Sequence, residues 1–280
     1  MKASNIIEHK ALGDLRILLS GVPCISNRGY FGYCTVVLFP LDGGWALFDT
    51  GHYSDRSLLF ESLKAANVRP EEIHHVVLSH LHFDHVLNLP IFKNASVTLT
   101  QAELDYARQV SAGQVEDPSI PDFWPILLEN REVRSFEKSV TIGETIEILH
   151  MPGHTPGCLV MFYKGPSTIA ICGDVIKNAW EAMTGEASMS CGDPLQVRES
   201  MNNVLQKADL IIPGHDRPFM VREGGVEFLA AFQWEVHGNI FPKEPDGLIL
   251  DMNIPPGFYP NPGDSMERVK SIGLGKMGKG

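Results

Sequence analysis

Apolar residues in this chain come in short runs separated by Gly, Pro and polar clusters, not in one sustained period. Runs at 15–19, 35–39 and 45–48 have the length and the Leu, Val, Ile and Phe content of strands. A helical segment comes next at about 54–66, with Ser54 or Asp55 as its cap. Pro70-Glu71-Glu72 then opens a turn into His74-His75-Val76-Val77-Leu78, an apolar run that reads as a buried strand. Beyond it the pattern predicts a strand at 96–99 and a weakly amphipathic helix at 101–110. Further strands are expected near 132–136, 145–149, 159–163 and 168–171, then a helix at 194–207 and a strand at 210–212.

Candidate metal chemistry sits directly after several of these strands. The window Ser79-His80-Leu81-His82-Phe83-Asp84-His85 leaves the 74–78 run, so one turn carries up to four ligands. Neutral imidazole and ionised carboxylate are the donors that zinc and similar cations prefer, at roughly 2.0–2.2 Å, and close spacing lets one rigid loop supply several. His154 lies in Met151-Pro152-Gly153-His154-Thr155-Pro156-Gly157, where prolines fix φ and glycines permit tight turns. Asp174 closes the apolar stretch 167–173, and His215 closes Leu210-Ile211-Ile212-Pro213-Gly214. The same order of strand, turn and candidate ligand recurs each time, which is how metal sites are built on rigid scaffolds.

The string His-x-His-x-Asp-His followed by His, Asp and His resembles the metallo-β-lactamase superfamily, over about residues 13–218. That resemblance implies an α/β fold, an αββα four-layer sandwich of two mixed β-sheets flanked by helices. It also implies that His80, His82 and His154 hold one metal, that Asp84, His85 and His215 hold a second, and that Asp174 bridges them. True β-lactamases of the common subclass carry Cys where Asp174 stands, and the di-iron oxygen reductases carry Glu where His82 stands. The full His/Asp set, with Asp49-Thr50-Gly51 upstream and Gly153-His154-Thr155-Pro156-Gly157 downstream, is most similar to the acyl-homoserine-lactone lactonase branch. Val86-Leu87-Asn88-Leu89-Pro90 replaces the small residue and two glycines that many members carry next, which implies a different local pocket.

The chemistry expected of such a site is hydrolytic: two divalent cations, zinc first and Mn or Fe after it, hold a bridging hydroxide that attacks the carbonyl of a lactone or other carboxylic ester. Asp84 is the candidate to pass a proton to the leaving group, and Asp49 the candidate to orient a ligand histidine. Thioester or phosphoester hydrolysis on the same metals is the second reading, and an iron redox enzyme a third.

Composition narrows the partners. With 280 residues, 44% hydrophobic and 20% charged, the chain has ample material for a core. A net charge of −11 supplies no basic footprint for nucleic acid, so a small-molecule ester or lactone is the expected partner. Cys24, Cys34, Cys158, Cys172 and Cys191 form an odd set without Cys-x-x-Cys spacing, which fits a reducing compartment. Neither a leader pattern nor an apolar run of about 18–20 residues occurs, so no membrane partner is expected and the chain reads as cytoplasmic.

Segments 111–130 and 175–193 lack periodicity and carry Phe123, Trp124, Trp180, Met183 and Met189; these loops are expected to roof the metal site. A catalytic domain is expected over 1–237. Residues 238–280 read as a Pro/Gly-rich extension that wraps the domain or a second subunit, as in a homodimer, with 273–280 frayed.

Overall fold

The computed structural model describes residues 6–188, 190, 192–238 and 248–262. Its backbone forms two large sheets. In the first the strand order is Arg16–Leu19, Val36–Leu41, Gly44–Phe48, Ile73–Val77, Ser96–Thr100 and Val133–Phe136. In the second it is Gly257–Pro260, Gly225–Phe228, Phe219–Arg222, Leu210–Ile212, Thr168–Ile171, Leu159–Lys164, Ile146–His150 and Ser139–Ile142. Both sheets mix parallel and antiparallel pairs.

Side-chain alternation along the strands explains the layering. Val37, Phe39, Ala46 and Phe48 share one cluster with Ile148, Met161, Ile171 and Ile212 of the other sheet, so this cluster is the seam between the sheets. Their neighbours Val36, Leu38 and Leu47 point the opposite way, into a cluster that also holds Leu59 and Leu63 of the helix Arg56–Ala65 and Leu104 and Ala107 of the helix Gln101–Ser111. On the far side, Val160, Phe162, Ala170 and Ile211 meet Val197, Met201 and Val204 of the helix Pro194–Lys207. Three seams between four layers make the αββα sandwich that the sequence led us to expect. Burying each of these large side chains contributes about 1.5–3 kcal/mol.

Several elements differ from the sequence pattern. The helix expected at 54–66 is split into a 3-10 turn, Tyr53–Asp55, capped by His52, and an α-helix from Arg56, because the His52 ring accepts the Ser54 amide. Phe83–Val86, within the window expected as loop, is a short helix with Asp84 and His85 in it. The expected loops at 111–130 and 175–193 contain the short helices Trp124–Leu128 and Ala179–Thr184, each too brief to show a period. Strands Ser139–Ile142, Phe219–Arg222 and Gly225–Phe228 lie beyond the pattern as well. In the C-terminal extension, Leu248–Ile254 pairs with Phe232–Gly238 and Gly257–Pro260 pairs with Gly225–Phe228. Residues 273–280 lie outside the described residues. Among the described residues no helix is long and apolar enough to cross a membrane.

Candidate metal centre

Parallel strands release their C-terminal ends at one edge, and there the chemistry collects. Gly44–Phe48, Ile73–Val77 and Ser96–Thr100 run parallel, and their ends lead into Asp49 and the 79–85 window. Thr168–Ile171 and Leu210–Ile212 run parallel in the other sheet and lead into Asp174 and His215. The two loops touch: a Cβ on Gly214 would stand 2.5 Å from both the Gly173 carbonyl and Asp174 Oδ1, so only glycine fits. His154 enters from the turn joining Ile146–His150 to Leu159–Lys164.

All seven histidines and aspartates singled out in the sequence converge, none more than 6% exposed. Potential ligand atoms fall into overlapping groups: His80, His82 and His154; His80, His85 and Asp174; Asp84, His85 and His215. Asp174 spans the groups, with Oδ1 at 3.3 Å from His85 Nε2 and 3.1 Å from His215 Nε2, and Oδ2 at 3.2 Å from His154 Nε2.

Hydrogen bonds behind the imidazoles determine which nitrogen faces inward. Asp49 Oδ2 accepts from His85 Nδ1 at 2.7 Å and from the Ser79 hydroxyl at 2.8 Å, while Oδ1 accepts the Ser79 amide at 2.7 Å. Because Ser79 spends its proton on Asp49, its oxygen accepts from His80 Nδ1 at 2.9 Å. One carboxylate thereby leaves both His80 Nε2 and His85 Nε2 as inward lone pairs. On the other side Asp117 Oδ2 holds His82 Nε2 at 3.0 Å, and Tyr33 O accepts from His215 Nδ1 at 2.9 Å.

The inward atoms are buried and uncommitted. His80 Nε2, His85 Nε2, Asp84 Oδ1 and both Asp174 oxygens lack a hydrogen-bond partner; the short imidazole contacts of Asp174 miss hydrogen-bond direction. Lone pairs gathered in one buried volume are costly unless positive charge lies among them. The donor set fits divalent cations. Electrostatics point the same way. Burial alone would lift Asp174, but His215, His154 and His85 hold its carboxyl well below the ordinary range. Burial opposes charge on His85 and His215 too, yet it is outweighed by Cys34 and the carboxylates around the former and by Asp174 beside the latter, and both are raised. Burial keeps His80 and His154 well below the usual imidazole value, neutral and able to donate a lone pair.

A cavity of about 470 Å³ opens onto this cluster. Val22, Pro23, Ile25, Phe83 and Pro118 give it apolar lining, and Lys177, Asn178, Ser188 and Ser190 polar groups. Both loops expected to roof the site reach the cavity, though not through the described side chains among those singled out. Trp124 is buried and donates to Ser111 Oγ, Phe123 faces solvent, and Met183 packs on the helical side of the second sheet. Trp180 does not line the cavity either, and Met189 lies outside the described residues. The loops contribute mainly polar groups, Asp117 and Ser119 with the apolar Pro118 from one and Lys177, Asn178, Ser188 and Ser190 from the other.

Sequence reasoning missed Tyr30, Asp117 and Glu103. Tyr30 lines the cavity and donates to Asp84 Oδ2 at 2.5 Å. Its only sequence signal is the aromatic-glycine string Gly29-Tyr30-Phe31-Gly32-Tyr33. Glu103 is fully buried; Oε1 accepts the Leu81 amide at 2.8 Å and Oε2 the Thr155 hydroxyl at 2.6 Å. An acidic residue in the first turn of a helix reads as ordinary capping, which hid it.

Comparison with known proteins adds an independent line. Residues 28–215 match the model of the metallo-beta-lactamase superfamily. Metallo-beta-lactamase domain-containing protein 1 of Xenopus laevis is 28% identical over 205 residues, covering 69% of this chain and 74% of that protein. An N-acyl homoserine lactonase of a Bacillus species is 26% identical over 159 residues, 55% of this chain and 60% of the lactonase. Among solved structures, the dizinc quorum-quenching lactonase AidC, in complex with a product N-hexanoyl-L-homoserine, superposes with TM-score 0.63 at 19% identity, over 82% of this chain and 95% of AidC. A Thermotoga maritima protein described as a putative metallo-beta-lactamase superposes with TM-score 0.60 at 21% identity, over 74% and 99%. At these identities the structural likeness is one of fold.

Proposed function

Because this chain belongs to the metallo-beta-lactamase superfamily, we propose that its buried His/Asp cluster holds two divalent cations and hydrolyses a lactone or other carboxylic ester. The observation that carries this reading is the convergence of uncommitted imidazole nitrogens and carboxylate oxygens beside a cavity of substrate size. His80, His82 and His154 form one binding group, Asp84, His85 and His215 the other, and Asp174 has an oxygen for each. Cations held there supply a hydroxide nucleophile near neutral pH and a Lewis acid for the carbonyl oxygen. AidC is a dizinc enzyme, which supports zinc as the metal here, and lactonases among the relatives support a lactone as the substrate.

The chain's own groups do the rest. Asp84 keeps Oδ1 uncommitted and can move a proton to the leaving oxygen. Asp49 and Asp117 hold His85, His80 and His82 in the tautomers that face inward. The apolar lining residues of the cavity take the acyl portion and exclude water from it. The four described cysteines are all free, which fits the cytoplasmic setting proposed for the protein.

Metal analysis of the purified protein should find about two Zn, Mn or Fe per chain. A panel of lactones, chromogenic esters, acyl-thioesters and phosphoesters should show the highest kcat/KM on the lactones or carboxylic esters, with turnover abolished by EDTA and restored by Zn. Full activity after metal stripping, or turnover of none of these substrates, refutes the reading.

A further inference from the structure

Among the described residues Tyr30 is the one phenol lining the cavity, and the metal groups do not account for it. It lies on the short hairpin Ile25–Ser26 and Gly29–Tyr30, a part of the chain outside both large sheets. Two features bring it to the site. Gly32 runs so close to the Phe83 ring that a Cβ there would stand 2.8 Å from Cε2, at a φ of +65°. The Tyr30 ring then packs edge-on against His215 at 5.3 Å and against Phe83 at 6.3 Å between centroids. The hydroxyl thereby points at Asp84 Oδ2, 2.5 Å away, with His215 Nε2 at 3.5 Å.

That acceptor is contested. Asp84 Oδ2 is also the oxygen that stands 3.4 Å from His215 Nε2 and 3.6 Å from His85 Nε2. A cation held by Asp84, His85 and His215 would compete with Tyr30 for the charge of this carboxylate. A phenol has a single proton to donate, and once Asp84 is engaged elsewhere that proton needs another acceptor. The cavity side of Tyr30 is where substrate oxygen would lie.

We propose that Tyr30 is a catalytic residue: its hydroxyl hydrogen-bonds the substrate oxygen that gathers negative charge as the ester bond is attacked. The inference rests on the hydrolase reading above. The phenol transfers no proton in this step; it is a fixed donor whose bond strengthens as charge develops. A donor of this kind acts on the transition state more than on bound substrate, so it governs kcat.

The test is Tyr30→Phe, which keeps the ring and its packing on Phe83 and His215 and removes the hydroxyl alone. In the zinc-loaded full chain, kcat on a lactone or ester that the wild type hydrolyses should fall roughly 100-fold, with KM within about twofold. Zinc content should stay at the wild-type level. Affinity for an alkyl methylphosphonate, a stable mimic of the charged tetrahedral species, should fall at least about tenfold, while affinity for the carboxylate product barely changes. Unchanged kcat and phosphonate affinity in an otherwise active protein overturn the proposal and leave the hydrolase reading standing. Loss of zinc from the variant also overturns it, because Tyr30 would then act only by holding Asp84. A wild type inactive on every ester removes the hydrolase reading and the proposal with it.

Discussion

Replacing Asp49 by Asn tests the idea that one buried carboxylate orients two imidazoles. The side chain is 1% exposed and isosteric with Asn, so no cavity opens. What changes is the direction of the hydrogen bonds. Asp49 now accepts three of them, from the Ser79 amide, the Ser79 hydroxyl and His85 Nδ1. An Asn that keeps its oxygen on the Ser79 amide turns two N–H donors toward His85 and Ser79. His85 must then accept at Nδ1 and carry its proton on Nε2, where it blocks a cation. Ser79, now an acceptor from Asn, donates to His80 Nδ1 instead, and His80 Nε2 is protonated in turn. Loss of such an orienting contact weakens metal binding by roughly 10 to 100-fold, about 1.4–2.7 kcal/mol. A competition titration with a zinc chelator, followed by metal analysis, should show weaker binding for both zinc ions. The wild type and variant should have similar circular dichroism. Wild-type affinity at both sites in Asp49→Asn would refute the orienting role.

Glu103 gives a parallel prediction with a built-in control: Glu103→Ala leaves the Leu81 amide without its acceptor and the Thr155 hydroxyl with only its weak contact to Cys158 Sγ, and should destabilise the fold by about 2–4 kcal/mol in urea unfolding. Glu103→Gln, whose oxygen still serves Leu81 and whose amide can donate to Thr155, should lose less than half of that; equal losses would show that charge, not geometry, matters there. His75 should make stability depend on pH. Burial foremost, then Arg134, lowers its pKa to about 4, so the folded state resists a proton that the unfolded chain binds at about 6.5. Its contribution is therefore present above pH 6.5 and is lost as pH falls toward 4, and His75→Gln should flatten the urea midpoint against pH over that window. His80 and His154 titrate in the same direction, so the quantity to read is the difference between wild type and variant.

How much of this was legible in advance depends on how far each signal extends along the chain. Strands such as Leu210–Ile212 and the helix Pro194–Lys207 are continuous local patterns, and they stand where the pattern put them. The seven His/Asp positions were legible because each lies in a short segment after a strand; the parallel ladders bring the 79–85 window, Asp174 and His215 to one edge, and His154 joins them from the turn of an antiparallel pair. Phe219–Arg222 and Gly225–Phe228 are short and broken by Arg222, Gly225 and Glu227, and their place in the sheet comes from pairing, with each other as a hairpin, with Leu210–Ile212 before them and with Gly257–Pro260 after them. Tyr30 was hidden for the same reason: nothing within its hairpin says that residue 84 lies opposite.

The supporting side chains show why a metal centre of this kind requires both sheets. His80 and His82 come from the first sheet and His154 from the second, so their common group exists only if the sheets keep one relative position. Apolar packing in the seam supplies most of the attraction, but it is non-directional and would tolerate small shifts. Glu103 removes that freedom. Rooted in the first turn of the helix after Ser96–Thr100, it grips the backbone between His80 and His82 with one oxygen and the residue after His154 with the other. Thr100, at the end of the same strand, adds a bond of 2.6 Å to the Gly157 carbonyl, and Gly157 has no room for a Cβ against Glu103. Directional bonds across the seam thus convert a packed interface into a fixed distance between histidines, which a cation with short, defined bonds demands.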